Sequence, residues 1–229
     1  TPELSLVYAL VVCLPVWAAA TLLRLTERQG HMLLIIFILA VTLVVAIYVF
    51  IGDVSSWWRQ WLDVMLEKAV PAEDVGQLKD AFEPAIKMLN AMMVAGLMLN
   101  IFFGVLCARW WQSRLFNLGA FQKEFYALQL PVMVLPVSAL VFVLVFTLPE
   151  PWQSMFRDIT IIMMFVYLIQ GISAVHRNVA KLKLSVAWLV SMYCMLILLP
   201  QMGLFIACLG MTDIYVSWRR KKMASQNES

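Results

Sequence analysis

The chain has 229 residues, of which 63% are hydrophobic and 14% are charged, with a net charge of +3 and a mean hydropathy of +0.85. Soluble domains carry about 25% charged residues, so this composition excludes an ordinary water-soluble fold. The apolar runs approach the roughly 20 residues that a helix needs to cross a bilayer, and they lack the period-two alternation of a membrane β-barrel. The sequence therefore predicts an all-α, polytopic transmembrane helical bundle that forms a single domain over residues 1–229.

The first two membrane spans are predicted at residues 4–23 and 32–51. A short polar connection that holds Arg24 and Arg28 joins them, so the two spans should form a tight antiparallel hairpin. The chain begins at Thr1 without an initiator methionine. We therefore expect it to be the C-terminal part of a longer protein with further spans upstream.

Residues 53–84 form one long acidic and hydrophilic segment, which predicts an extramembrane region. Within it, large apolar side chains recur at helical spacing. They are Trp57, Trp58, Trp61, Leu62, Met65, Leu66 and Val70. Because tryptophan favours the headgroup region, this amphipathic helix could lie on the membrane surface with Trp57, Trp58 and Trp61 as interfacial anchors. A helix packed over the bundle would show the same stripe, and the sequence leaves both alternatives open.

A third span is predicted at residues 86–107, with Pro84 near its first turn, where a missing backbone N–H costs little. Residues 109–129 then form an amphipathic connection with a turn at Gly119. Phe121 and Phe125 share one helical face of this connection. We refer to residues 109–129 as the connecting loop.

Further spans are predicted at residues 130–148, 159–175, 184–199 and 202–218, which gives about seven in total. Lysine and arginine accumulate in the connections after the first, third and fifth spans and in the basic tail at 219–229. Basic residues mark the cytoplasmic side of a membrane protein. The connecting loop and the tail should therefore be cytoplasmic, and residues 53–84 extracytoplasmic. The last two spans are short, so thinning of the bilayer or partial insertion is expected.

Polar side chains inside the predicted spans are few, and they are the first candidates for a functional role. Asp213 lies toward the inner part of the last span, with an arginine of the segment 109–114 or the tail residues Arg219 and Arg220 as its expected partner. The other candidate intramembrane polar residues are Asn90, Asn100 and Gln170. They could line a solute pocket or form hydrogen bonds between helices.

The sequence contains no HExxH, GxSxG or GxxxxGK[ST] motif and no pair of intramembrane carboxylates. We therefore predict no catalytic residues, no cofactor and no metal site, and we do not expect an enzyme. The four cysteines lie in or beside apolar runs, which is typical of small buried side chains. Topology and anionic lipid account for the basic residues, so no nucleic-acid partner is predicted.

Two segments carry a family resemblance. They are residues 108–117 (ARWWQSRLFN), followed by Gly119, Phe121, Glu124, Phe125 and Leu128, and residues 209–213 (LGMTD), which precede Trp218. Together they resemble the YybS-like family of bacterial membrane proteins, also called DUF2232. This family is grouped distantly with the substrate-binding S components of energy-coupling factor transporters, membrane bundles that capture vitamins or metal ions and dock onto a shared energising module. The resemblance implies a role related to transport, without a defined substrate.

The leading hypothesis is therefore a bacterial inner-membrane, transporter-like protein that binds a small solute, with the lipid bilayer and a cytoplasmic or membrane protein as partners. The connecting loop would be its docking or gating surface, because arginine and exposed aromatic residues are good interface anchors. That surface comprises Arg109, Trp110, Trp111, Arg114, Phe116, Asn117, Phe121, Glu124 and Phe125. The alternatives are a non-transporting membrane scaffold or envelope assembly factor, and a lipid-handling enzyme.

Overall fold

The computed structural model describes residues 2–69 and 71–226, and all regular secondary structure in these ranges is helical. The helices are α1 (Pro2–Tyr8), a π-helical turn (Ala9–Cys13), α2 (Leu14–Thr26), α3 (Gln29–Ile51), α4 (Val54–Ala69), α5 (Ala72–Phe116), α6 (Ala120–Tyr126), α7 (Val134–Thr147), α8 (Trp152–Lys181), α9 (Ala187–Leu198) and α10 (Met202–Gln226). The predicted all-α membrane bundle is confirmed.

By length and composition, four helical stretches of the described chain can cross a membrane. They are Ser5–Thr26, Gln29–Ile51, Val75–Phe116 and Trp152–Lys181. The helices Val134–Thr147 and Ala187–Leu198 are apolar but shorter. The total of seven spans therefore stays a prediction.

The prediction that Pro84 lies near the first turn of the third helix is wrong. The helix begins at Ala72, with Pro71 at its N-cap, and Pro84 lies inside it. Its 45 residues correspond to about 68 Å at 1.5 Å per residue, more than twice the roughly 30 Å of hydrocarbon. α5 is therefore long enough to cross a bilayer and to extend beyond it at both ends, and its last turns carry Arg109 and Arg114 of the connecting loop.

The acidic segment 53–84 folds as α4 and the first turns of α5, which two exposed ion pairs connect. Lys79 Nζ lies 2.9 Å from Asp63 Oδ1, and Arg59 Nε donates to Glu83 Oε1 at 3.2 Å. The apolar stripe on α4 is divided between two environments. Trp58 and Leu66 are buried and Leu62 is partly buried, whereas Trp57, Trp61 and Met65 remain exposed; Val70 lies outside the described residues. Interfacial anchoring by the tryptophans stays a prediction.

α8 is the central helix of the bundle and packs against α3, α5, α7 and α10. The contact with α10 is close because both helices present glycine there. A methyl group on Gly171 would overlap the carbonyl oxygen of Ile206, and one on Gly210 would overlap that of Tyr167. Gly203 makes no such contact, because a methyl group there would reach only Leu196, at 3.9 Å.

The last two helices form a hairpin that does not reach the far end of α8. α10 runs in the same direction as α8, since Ile206 lies beside Gly171 while Arg220 lines a surface pocket with Lys181. For near-parallel helices with a rise of 1.5 Å per residue, the hairpin turn at Pro200 lies about 20 Å short of the start of α8. α9 itself buries none of its side chains. Partial insertion of these two helices stays a prediction.

Candidate functional site

A polar cavity opens at the end of the bundle where α3 ends and α8 begins. Its volume is about 720 Å³. The last turn of α3, the first turns of α4 and α8, one residue of α5 and the 150–151 loop form its walls. The lining residues are Tyr48, Gly52, Asp53, Val54, Ser55, Arg59, Lys87, Glu150, Pro151, Gln153, Ser154 and Arg157. We call this feature the polar cavity.

Behind the cavity wall lies a buried carboxylate that connects three helices. Asp158 on α8 is fully buried, and its Oδ2 accepts hydrogen bonds from Tyr48 Oη on α3 at 3.0 Å and from Asn90 Nδ2 on α5 at 2.7 Å. Asp158 Oδ1 is also buried and has no hydrogen-bond partner in the described chain. A carboxylate at this depth is costly and is generally retained for function. Tyr48 both lines the cavity and bonds to Asp158, so it links the cavity to this group.

The cations of the cavity differ in how they are neutralised. Arg157 Nη2 donates to Ser154 Oγ at 2.9 Å and to the Lys87 carbonyl oxygen at 3.3 Å, while its buried Nε has no acceptor among the described residues. The Lys87 side chain is exposed. Arg59 is different, because it forms an ion pair with Glu83.

The two carboxylates that line the cavity cap the helices on either side. Asp53 Oδ1 accepts the Ser56 backbone N–H at 3.0 Å and its Oδ2 accepts the Ser56 hydroxyl at 2.6 Å, so Asp53 caps α4. These bonds from Ser56, the hydroxyl first, hold the pKa of Asp53 below its usual value. Glu150 Oε2 accepts the Ser154 backbone N–H at 3.2 Å at the start of α8. Both groups are therefore already engaged by donors of the chain.

A second polar cluster lies near the other end of α8 and joins it to α10. Gln170 Nε2 donates to Asp213 Oδ2 at 2.7 Å, and Leu130 N donates to Gln170 Oε1 at 3.2 Å. Arg177 forms an ion pair with Asp213 and donates to the Tyr126 carbonyl oxygen at 3.1 Å. The predicted partners of Asp213 are therefore wrong. Arg177 lies closer because α10 runs parallel to α8, whereas the arginines of segment 109–114 are at the end of α5. We call this group the loop cluster, because it holds residues 126–130 against α8.

The residues of the predicted docking surface fall into two groups. Arg109 forms an ion pair with Glu124 and donates to Gln112 Oε1 at 2.8 Å, so it stabilises the loop from within. Phe121 and Phe125 stack with ring centroids 6.2 Å apart. By contrast, Trp110, Trp111, Arg114, Phe116 and Asn117 are exposed, with Trp111 at 64% and Phe116 at 83%. Gly119 has a φ of +86° at the predicted turn.

The predicted intramembrane polar residues lie in three different environments. Asn90 contacts Asp158, and Gln170 and Asp213 belong to the loop cluster, whereas Asn100 is exposed. Sequence reasoning missed Asp158 because it placed the start of the fifth span at residue 159.

The signal that could have located Asp158 is the Pro149–Pro151 turn. A proline directly before Trp152 indicates a helix start there. Asp158 then lies near the end of the second helical turn, among the membrane-spanning residues. The same helix start at Trp152 places Arg157 in the first turns of α8, where it lines the cavity.

The described chain contains no group of three or more His, Cys, Asp or Glu side chains that could hold a metal ion.

In comparisons with known proteins, a family model described as a predicted membrane protein (DUF2232) matches residues 2–214. No curated protein and no solved structure matches the chain.

Proposed function

The chain belongs to the DUF2232 family of predicted membrane proteins, and we propose that it is a transporter-like protein that binds a small solute in the polar cavity. The observation that carries the proposal is the cavity itself, a polar space of about 720 Å³ backed by a fully buried carboxylate. Small-molecule sites have volumes of about 300–1,000 Å³ and a few convergent polar groups, so both size and lining fit a solute.

The position of Asp158 gives the cavity a way to influence the bundle. Its hydrogen bonds with Tyr48 and Asn90 join α3, α5 and α8, which are all long and apolar enough to cross the membrane. A solute that hydrogen-bonds to Tyr48, or pushes it aside, would change its bond to Asp158. A ligand that makes different contacts in two helix arrangements favours the arrangement that it binds more tightly.

The basic residues support an orientation for this site. Arg109, Arg114 and Lys123 lie in or beside the connecting loop at the opposite end of α5 from the cavity. With the positive-inside preference, the cavity then opens to the outside of a bacterial inner membrane and the tail lies in the cytoplasm.

The binding test compares the two buried carboxylates. The full chain is purified in mild detergent, and small molecules released on denaturation are identified by mass spectrometry. Asp158→Asn keeps the side-chain shape but weakens the hydrogen bond that holds Tyr48 at the cavity wall, because bonds to a charged acceptor are stronger, so it should reduce the recovered solute at least tenfold. Asp213→Asn, the matched control in the loop cluster, should retain it. Equal recovery from wild type and Asp158→Asn, or no solute from any sample at any stage of purification, would contradict a solute site at the cavity.

A scaffold function is the second candidate, and the exposed part of the connecting loop supports it. Trp111 and Phe116 are largely exposed beside Arg114, a composition that protein interfaces favour. A double variant, Trp111→Ser with Phe116→Ser, should then lose a copurifying membrane or cytoplasmic protein. Arg109→Ala is unsuitable for this test because Arg109 supports the loop through Glu124. Unchanged copurification would count against the scaffold.

A further inference from the structure

The charges of the polar cavity are unevenly paired. Asp53 and Glu150 each accept hydrogen bonds at a helix start, and Arg59 has Glu83 as its partner. Lys87 and Arg157 differ, since no carboxylate lies within 4 Å of either among the described residues. The cavity therefore contains two cationic groups that form no direct ion pair with a carboxylate of the described chain.

Arg157 is also held in a way that suits an anion. Its Nη2 is fixed by two neutral acceptors, the Ser154 hydroxyl and the Lys87 carbonyl oxygen. Its Nε donor is buried without an acceptor. An unsatisfied buried donor of a charged group is costly, and an anionic oxygen would remove that cost. Guanidinium groups bind carboxylates and phosphates through such paired donors.

Asp158 does not pair directly with either cation. Its Oδ2 is occupied by Tyr48 and Asn90, and it forms no ion pair with Arg157 within 4 Å. It also lies behind Tyr48, outside the set of lining residues. A cationic solute would instead meet Lys87 and Arg157 with both lining carboxylates already engaged.

We propose that the occupant of the polar cavity is a small anion, a carboxylate or a phosphate, bound between Lys87 and Arg157; this rests on the proposed function. The anionic group can come from a free solute or from the headgroup of an anionic lipid. Its recognition chemistry is the same in both cases.

The test measures thermal stabilisation of the full chain in zwitterionic nanodiscs at constant ionic strength. The probes are inorganic phosphate, citrate, choline and glucose. We expect saturable stabilisation by phosphate or citrate, with apparent affinity at least tenfold weaker in Lys87→Gln and Arg157→Gln. Lys68→Gln is the matched control, because Lys68 is exposed on α4 and does not line the cavity. Lys87→Gln keeps the test valid if Arg157→Gln misfolds, since the Lys87 side chain is exposed.

A parallel arm replaces part of the zwitterionic lipid with phosphatidylglycerol. Stabilisation that requires this lipid and is lost in Lys87→Gln assigns the anion to a headgroup, whereas stabilisation by phosphate or citrate alone assigns it to a free solute. Equal anion effects in Lys87→Gln and Lys68→Gln would overturn the inference. A neutral or cationic molecule that copurifies and is lost in Asp158→Asn would also overturn it while leaving the proposed function intact.

Discussion

Two buried glutamine side chains in this protein have opposite hydrogen-bonding states. Gln170 accepts from Leu130 N and donates to Asp213, whereas Gln29, which is also almost fully buried, has no partner for either its amide nitrogen or its oxygen among the described residues. A buried polar group without a partner costs about 1–3 kcal/mol. The same residue type therefore stabilises the bundle at one position and destabilises it at another.

This contrast predicts opposite effects for one substitution. Gln29→Met should raise the free energy of unfolding by about 1 kcal/mol, because it removes an unsatisfied amide of similar volume, and Gln170→Met should lower it by about 1–3 kcal/mol. Unfolding of each variant in the same detergent, followed by tryptophan fluorescence, gives the comparison. A loss of stability in both variants would contradict the prediction, because it would show that the Gln29 amide is hydrogen-bonded in the folded protein.

The Asp53 cap predicts a pH-dependent contribution to stability. Because bonds from Ser56 lower the pKa of Asp53 in the folded chain, the cap is present above the unfolded pKa of about 3.9 and is lost as the pH falls through the lower folded value. Asp53→Ala should destabilise α4 by about 1 kcal/mol at pH 7. Hydrogen exchange of the first α4 amides measures this difference.

The controls for the cap separate its charge from its hydrogen bonds. Asp53→Asn should keep most of the cap at pH 7, because asparagine caps helices about as well as aspartate. Asp80→Ala, on the exposed side of α5, should leave the α4 amides unchanged. If Asp53→Ala differs from wild type equally at pH 7 and pH 3, ionised Asp53 is not the cap.

At the scale of elements, the contact between α8 and α10 depends on backbone proximity at Gly171 and Gly210. Membrane helices gain little from hydrophobic attraction to each other, so close backbone packing contributes much of their association. The loop cluster lies on the same pair of helices, where Gln170 and Arg177 contact Asp213. Small residues and a polar network therefore stabilise the same junction.

Alanine substitutions test this junction. Gly171→Ala or Gly210→Ala should lower the free energy of unfolding by about 1–3 kcal/mol, because the added methyl group has no space. Gly96→Ala and Gly104→Ala are matched controls in α5, where a methyl group meets nothing within 4 Å; they should be neutral or slightly stabilising. Thermal unfolding in detergent ranks the four variants. Similar effects at all four positions would refute the close contact.

At the scale of the whole molecule, hydropathy predicted the helical class and most of the apolar helices, because lipid requires continuous apolar runs. The ends of helices that extend beyond the hydrocarbon were harder to predict, because polar residues there give no hydropathy signal. Polar residues 72–85 extend α5, and the turn before Trp152 brings Asp158 into α8. The cavity combines side chains from α3, α4, α5 and α8 that are up to 109 positions apart, from Tyr48 to Arg157. No local spacing encodes such a group, so its members could not be selected from sequence alone.

The last hairpin yields a topology prediction. Since α9 and α10 leave and return at one end of α8, fluorescent-protein fusions after Lys183 and after Lys222 should both fluoresce in the cytoplasm, and alkaline phosphatase fusions at the same positions should be inactive. The new thiol in Gln153→Cys should be labelled from outside. Activity of the two fusions on opposite sides would overturn the hairpin geometry.

α5 carries Lys87 at the polar cavity, Asn90 behind the cavity wall and Arg109 of the connecting loop within one helix. If α5 pivots by about 5° at its midpoint near Val94, Arg109 moves by about 2 Å and Lys87 moves by about 1 Å in the opposite direction. A shift of about 2 Å is enough to break a hydrogen bond. In a helix that tilts as a rigid unit, an occupant that moves Lys87 therefore also shifts Arg109 and its contact with Glu124.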